Sequence, residues 1–122
     1  MANINISAWA EQTSESLGEA SRGIKLALFQ HIIEDTRFDT GRLKGNWQTS
    51  TGSPATGIIE RLDNEQGSAA IAQAASTVTE FGVDYLTNNL PYAKKWDDVD
   101  GTVDKAFARI DRNIQEVVNG LD

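Results

Sequence analysis

The chain has 122 residues, 39% of them hydrophobic, and a formal net charge of -7 at pH 7. That length suits one domain over residues 1–122 with a modest core. The absence of cysteine excludes disulfides, thiolate metal sites and cysteine nucleophiles. The acidic balance argues against a phosphate backbone as the main partner, and no apolar run reaches the length of a membrane span.

The opening Met1-Ala2-Asn3-Ile4-Asn5-Ile6-Ser7 has neither the basic start nor the apolar core of a signal peptide, so synthesis in the cytosol is expected. Residues 8–35 read as one long helix, with Ser7 as N-cap and Glu11 and Glu15 near the positive end of the helix dipole. Leu17, Ala20, Ile24, Ala27, Leu28, His31 and Ile32 fall on one stripe at helical period. Gly18 and Gly23 weaken this helix by up to ~1 kcal/mol each, or permit close packing, and they leave Ser14 as an alternative start.

Asp39-Thr40-Gly41 is a turn signal, in which the aspartate accepts a nearby backbone N–H and the glycine tolerates positive φ. Leu43 is expected to anchor the turn to the core, with Arg42 and Lys44 pointing away. Residues 46–50 read as a strand with Trp47 and Thr49 on one face. Residues 55–62, carrying Ile58 and Ile59, read as a second strand that forms a hairpin with the first. The Ala-rich stretch 68–76 predicts a helix or a loosely ordered insertion. Residues 77–81 and 84–87 have strand composition, the first overlapping a helix end.

Residues 88–91 form a turn, followed by Tyr92 and Trp96 at a spacing that fits one helical face. Gly101 marks a break. Val103, Phe107, Ile110, Ile114, Val117 and Leu121 then trace the cleanest apolar stripe in the chain, with Thr102 as N-cap and Asn119-Gly120 as stop. The expected fold is α+β: a long N-terminal helix, a small antiparallel β-sheet, and a C-terminal helix packed on the sheet. Both stripes must cover the sheet, each other or a neighbouring subunit.

Charge is uneven. Residues 1–62 hold seven acids against six bases, and residues 63–122 hold eleven against five, so the acidity sits in the second half. None of this composes an active site. Asp39-Thr40-Gly41 matches the aspartic protease triplet, but Arg37, Arg42 and Lys44 would hold the aspartate ionised and oppose a shared proton. Asp97, Asp98, Asp100 and Asp104 lack the order of a calcium loop. His31 stands alone, and the glycines show no phosphate-cradling pattern. The expectation is no enzyme, no catalytic residue, no metal and no cofactor.

The stretch Phe38-Asp39-Thr40-Gly41-Arg42-Leu43-Lys44-Gly45-Asn46-Trp47 resembles the Val-Asp-Thr-Gly-Arg-Leu-Arg-x-Ser-Trp signature of the HK97 gp10-like family. Members are described as minor tail, neck or tail-completion proteins of tailed phages. The element Asn88-Asn89-Leu90-Pro91-Tyr92-Ala93 resembles the family's later Asn-x-x-x-Tyr-Ala, in the same order along the chain. After it the family runs into a Glu-Tyr/Phe-Gly type segment, where this chain has Lys94-Lys95-Trp96-Asp97-Asp98.

The resemblance implies a structural virion protein. It would complete the head-proximal end of a tail and help join that tail to the head connector. Synthesis would be in the host bacterial cytoplasm. The implied partners are further copies of the chain in a ring, six being the family-level expectation, together with the tail tube protein and the head connector or stopper protein. DNA would pass through the ring without specific binding, and no membrane is involved. Asp39, Thr40, Gly41, Arg42 and Leu43 would shape the turn at the sheet edge, with Arg42 pairing with Asp39 or with a neighbour's carboxylate. Trp47, Tyr92 and Trp96 would be anchors of the core or of a subunit interface, and Phe107, on the apolar stripe of the last helix, is expected to be another. The alternatives are a head-side connector or joining protein and a small dimeric cytosolic binding module.

Overall fold

The computed structural model describes residues 6–120, and the side chains of 15–116, 119 and 120. Helix α1, Ile6–Asp35, has 30 residues and is about 45 Å long. Ser7 and Ser14 both lie inside it, so neither marks its start. It ends before Thr36, as the turn composition requires. The last-turn carbonyls find side-chain donors: Thr36 Oγ1 donates to Ile32 O, and Lys44 Nζ donates to Glu34 O at 2.6 Å.

A single turn of helix, α2 (Arg42–Gly45), leads into β1 (Trp47–Thr51). Helix α3 is Ser68–Thr77, and β2 is Asp84–Asn88. Helices α4 (Ala93–Asp100) and α5 (Thr102–Asn119) complete the order. The sheet has two antiparallel strands, with Trp47 opposite Asn88, Thr49 opposite Leu86 and Thr51 opposite Asp84.

The expected hairpin is therefore wrong. Residues 55–62 are not a strand, and β1 pairs instead with β2. The other edge of β1 is already occupied. Arg61 donates from Nε to Gly45 O and from Nη2 to Trp47 O, both at 2.8 Å, and Gln73 Oε1 accepts the Thr49 N–H at 3.4 Å. Residues 55–59 form a strap held by side-chain amides. Gln48 and Asn89 each donate to Gly57 O at 3.0 Å, Asn89 also donates to Ala55 O at 2.9 Å, and Asn46 Oδ1 accepts the Ile59 N–H at 2.9 Å.

Helices α1 and α3 pack together beside β1. Phe29, Ala74 and Val78 are buried at the centre, with Leu26, Leu28 and Leu86 partly buried around them. Alanine at positions 70 and 74, both essentially without exposure, lets α3 approach closely. The Ala-rich segment is thus a packed helix. Of the two stretches with strand composition, 84–87 is strand, whereas Thr77 closes α3 and 78–81 is irregular.

Helix α5 runs back along α1: Arg109 reaches His31 and Asp35, while Ile114 shares a groove with Ala20 and Ile24 nearer the other end. Among its described side chains, Thr102, Ala106 and Ile110 are buried. Thr102 is the first residue of α5 rather than its cap. Gly101, at φ 65°, ends α4, and Asp97 Oδ1 accepts the Val103 N–H at 3.0 Å. Trp96 and Thr102 meet Trp47 around one small cavity, which sets the C-terminal helices against the sheet. The architecture is α+β.

Candidate functional site

Gly41 has φ 87°, in the left-handed region that favours glycine. Its need for glycine is double, because a Cβ here would collide with the Asp63 carbonyl oxygen. The Asp63 N–H donates back to Gly41 O at 3.0 Å. Gly45 is equally constrained, since its Cβ would strike the Arg61 carbonyl oxygen. The 61–63 segment thus lies backbone to backbone across α2, and the two glycines of the Gly41-to-Gly45 stretch are what admit it.

Lys44, between them, is buried and does not point away from the core. Its ammonium donates to the carbonyls of Glu34 and Glu65, tying the end of α1 to the segment that leads into α3. Burial pushes its pKa down, against the pull of nearby carboxylates, the nearest in effect being Glu65. The side-chain bond within the turn comes from Thr40, whose Oγ1 accepts the Arg42 N–H at 3.3 Å, and not from Asp39. Among the described residues Arg42 forms no ion pair, with Asp39 or otherwise.

Asn88 Nδ2 donates to Leu43 O at 2.8 Å, joining the end of β2 to the turn. Trp47 is half-buried, and its indole N–H donates to Thr36 Oγ1 at 2.8 Å. In front of this frame opens a groove of about 620 Å³ lined by Arg37, Phe38, Asp39, Thr40, Arg42, Leu43, Tyr92 and Trp96. Six of the nine residues singled out in the sequence therefore share one surface. Gly41 lies buried beneath it and Trp47 behind it. Phe107 is elsewhere, on α5, with 56% of its surface exposed.

Arg37 and Phe38 join the groove without having been marked as site residues. The Arg37 guanidinium stacks on Trp96, 3.7 Å from the ring centre, and pairs with Asp100 through two hydrogen bonds of 3.1 and 2.8 Å. This bond raises the Arg37 pKa and lowers that of Asp100. The signal for it was the i to i+4 spacing of Trp96 and Asp100 on a helix, but the partner lies 59 positions upstream of Trp96 and has no local signature.

The carboxylates of the acidic stretch serve different neighbours. Asp97 holds the start of α5, Asp98 pairs with Lys94 at 2.8 Å, and Asp100 holds Arg37. Among the described residues no group of three or more His, Asp or Glu side chains is placed to hold a metal. His31 Nδ1 lies 3.0 Å from Arg109 Nη1. Asp39 sits on an open rim between arginines. What this surface offers is stacking, aromatic contact and charge-assisted hydrogen bonding. Comparison with protein-family models, with curated proteins and with solved structures gives no match. No helix among the described residues is long and apolar enough to cross a membrane.

Proposed function

We propose that this chain is a structural virion protein that completes the head-proximal end of a phage tail and helps join the tail to the head connector. One observation carries the reading. The two separate sequence elements that resemble the tail-completion family meet in space, with Asn88 bonded to the Leu43 carbonyl and Tyr92 lining one groove with Asp39, Thr40, Arg42 and Leu43. Aromatic and arginine side chains at a concave, solvent-open surface are the composition of protein contact sites.

The working form is a ring of copies, six in number, seated between the tail tube protein and the connector. The acidic second half faces the DNA path and repels the passing duplex. Light scattering on a sizing column, with the chain alone and then with the matching tail tube, tests this. The expected result is a larger, closed species on the tube. Particles made without the chain should contain filled heads and separate tails. Normally joined particles in its absence would overturn the reading, and a stable dimer indifferent to the tube would favour a small binding module.

A further inference from the structure

We propose that the groove between the Thr40 turn and α4 receives the Phe107 face of α5 from a second copy of this chain, in a head-to-tail contact. The proposal rests on the reading of the chain as an assembling subunit and names the two surfaces that meet.

The first surface is the groove. Trp96, Tyr92 and Phe38 provide aromatic area, Phe38 being 44% exposed. Arg37 and Arg42 flank it, Lys95 Nζ lies 5.1 Å from the Trp96 ring centre, and Asp39 is the single acid in the lining. Arg37 is already paired with Asp100, so the local excess of positive charge, in a chain of net charge -7, rests on Arg42 and Lys95 against Asp39. Arg42 and Lys95 have no ion pair among the described residues.

The second surface lies on α5. Phe107 belongs to the helix's apolar stripe, yet it is more than half exposed because Ala106 and Ile110 make the buried contacts. Asp104 and Asp111 stand three residues before it and four after, which places both carboxylates on the same helical face. Both are exposed, and neither is in an ion pair among the described residues. An aromatic ring with an acid on either side thus matches an aromatic groove that carries Arg42 and Lys95, two cations without an ion pair among the described residues.

Complementarity also selects the geometry. Two grooves brought together would oppose arginines, and two α5 faces would oppose aspartates, so neither surface suits a two-fold contact with itself. Groove to α5 is the attractive pairing. Such a heterologous contact repeats from copy to copy and closes into a ring when the rotation per copy divides a full turn. A purely apolar occupant would leave Arg42 desolvated and unpaired, which is costly.

The chain contains no native cysteine, so engineered thiols report this contact cleanly. Thr40→Cys places one thiol in the groove, and Ala108→Cys places one on the exposed α5 surface beside Phe107. On mild oxidation the double variant should give a ladder of covalent multimers. A mixture of the two single variants should stop at a dimer containing one chain of each. Adding Arg42→Glu to the double variant should lower the cross-linked fraction about tenfold or more, and adding Asp111→Arg as well should restore it. Circular dichroism of each variant confirms the fold. A missing ladder while the unmodified chain still assembles by light scattering would overturn the groove assignment and leave the assembly reading standing. A missing ladder from a chain that also fails to assemble on the tail tube would sink both. A ladder unchanged by Arg42→Glu would overturn the proposal as well.

Discussion

Gly45 shows how a single hydrogen atom in place of a methyl group shapes this molecule. The Arg61 carbonyl occupies the space a Cβ would need, and both backbones are fixed, so neither can yield cheaply. Gly45→Ala should therefore cost about 3 kcal/mol, the upper end of the range for overpacking a rigid site. Gly57 is the control. It has φ 82° but open space where a Cβ would go, so Gly57→Ala should cost only about 1 kcal/mol of left-handed strain. Urea midpoints of the two variants measure the difference.

Asp84 is a buried charge held by several donors. Its side chain has 0% exposure, while that of its partner Lys25, 3.0 Å away, has 25%. Thr51 Oγ1 donates to it at 2.7 Å, and Thr79 donates both its hydroxyl, at 2.8 Å, and its backbone N–H, at 3.1 Å. Burial alone would raise the carboxyl pKa. The hydrogen bonds from Thr51, Lys25 and Thr79 outweigh it, and the pKa sits well below the ordinary carboxylate range. A carboxylate with a depressed folded pKa stabilises fully above its unfolded value of about 3.9, and that contribution is lost as pH falls toward the folded value. Stability should thus decline on acidification from about pH 5 downward. Asp84→Asn should cost about 3 kcal/mol at neutral pH and flatten the acid limb. Thermal melts from pH 7 to pH 3 check both.

Helix α3 depends on a carboxylate outside it. Asp63 accepts the N–H groups of Asn64 and Ala69 through Oδ1, at 2.8 and 3.0 Å, and that of Ala70 through Oδ2 at 2.9 Å, while Asn64 Oδ1 accepts that of Ser68 at 2.9 Å. Those of Ser68, Ala69 and Ala70 are the orphan donors of a helix start. The bonds that Asp63 itself accepts, from Ala70, Ala69 and Asn64, offset the burial of its carboxylate, so its pKa falls. Asp63→Ala should cost about 1–2 kcal/mol, as loss of a strong N-cap does. Amide exchange should quicken most at Ala69 and Ala70.

Ala-rich composition made a helix one of two readings of residues 68–76, but nothing in that stretch pointed to its tether, the Asp63 carboxylate. Elements whose stability is local, α1, α3 and α5, show in the periodicity of their own residues. The hairpin failed because Ile58 and Ile59 have strand composition but no free strand to join. Arg61, a charged residue that reads as solvated surface, fills the edge of β1, and the true partner begins 33 positions after Thr51. Lys44 misled for the same reason: its acceptors are main-chain oxygens, which leave no mark in a sequence. The turn and the Tyr92 element were each marked in the sequence by a local pattern, but that they line one groove, and that Arg37 joins it, came only through folding.

For the whole molecule the question is what its uncovered apolar surface and its charge do together. Leu17, Phe81 and Val83 are each more than 60% exposed, as are Leu62 and Val99, in a chain with only a small buried core. Such surface favours association, but copies of net charge -7 repel one another. The two effects differ in range. Net repulsion acts over the Debye length, about 30 Å at 0.01 M salt and about 8 Å at 0.15 M. Paired charges in a groove contact lie within a few ångströms of one another, where moderate salt screens them less. Association should therefore strengthen from 0.01 M to roughly 0.15 M salt as repulsion fades, then weaken toward 1 M as the arginine–aspartate pairs are screened too. Sedimentation velocity across that series measures it. A steady rise to 1 M would mean that apolar area alone holds the copies together, and the charged groove would then have no part in the contact. In Arg42→Glu the repulsive limb should persist and the later weakening should vanish, since the pairs responsible for it are gone.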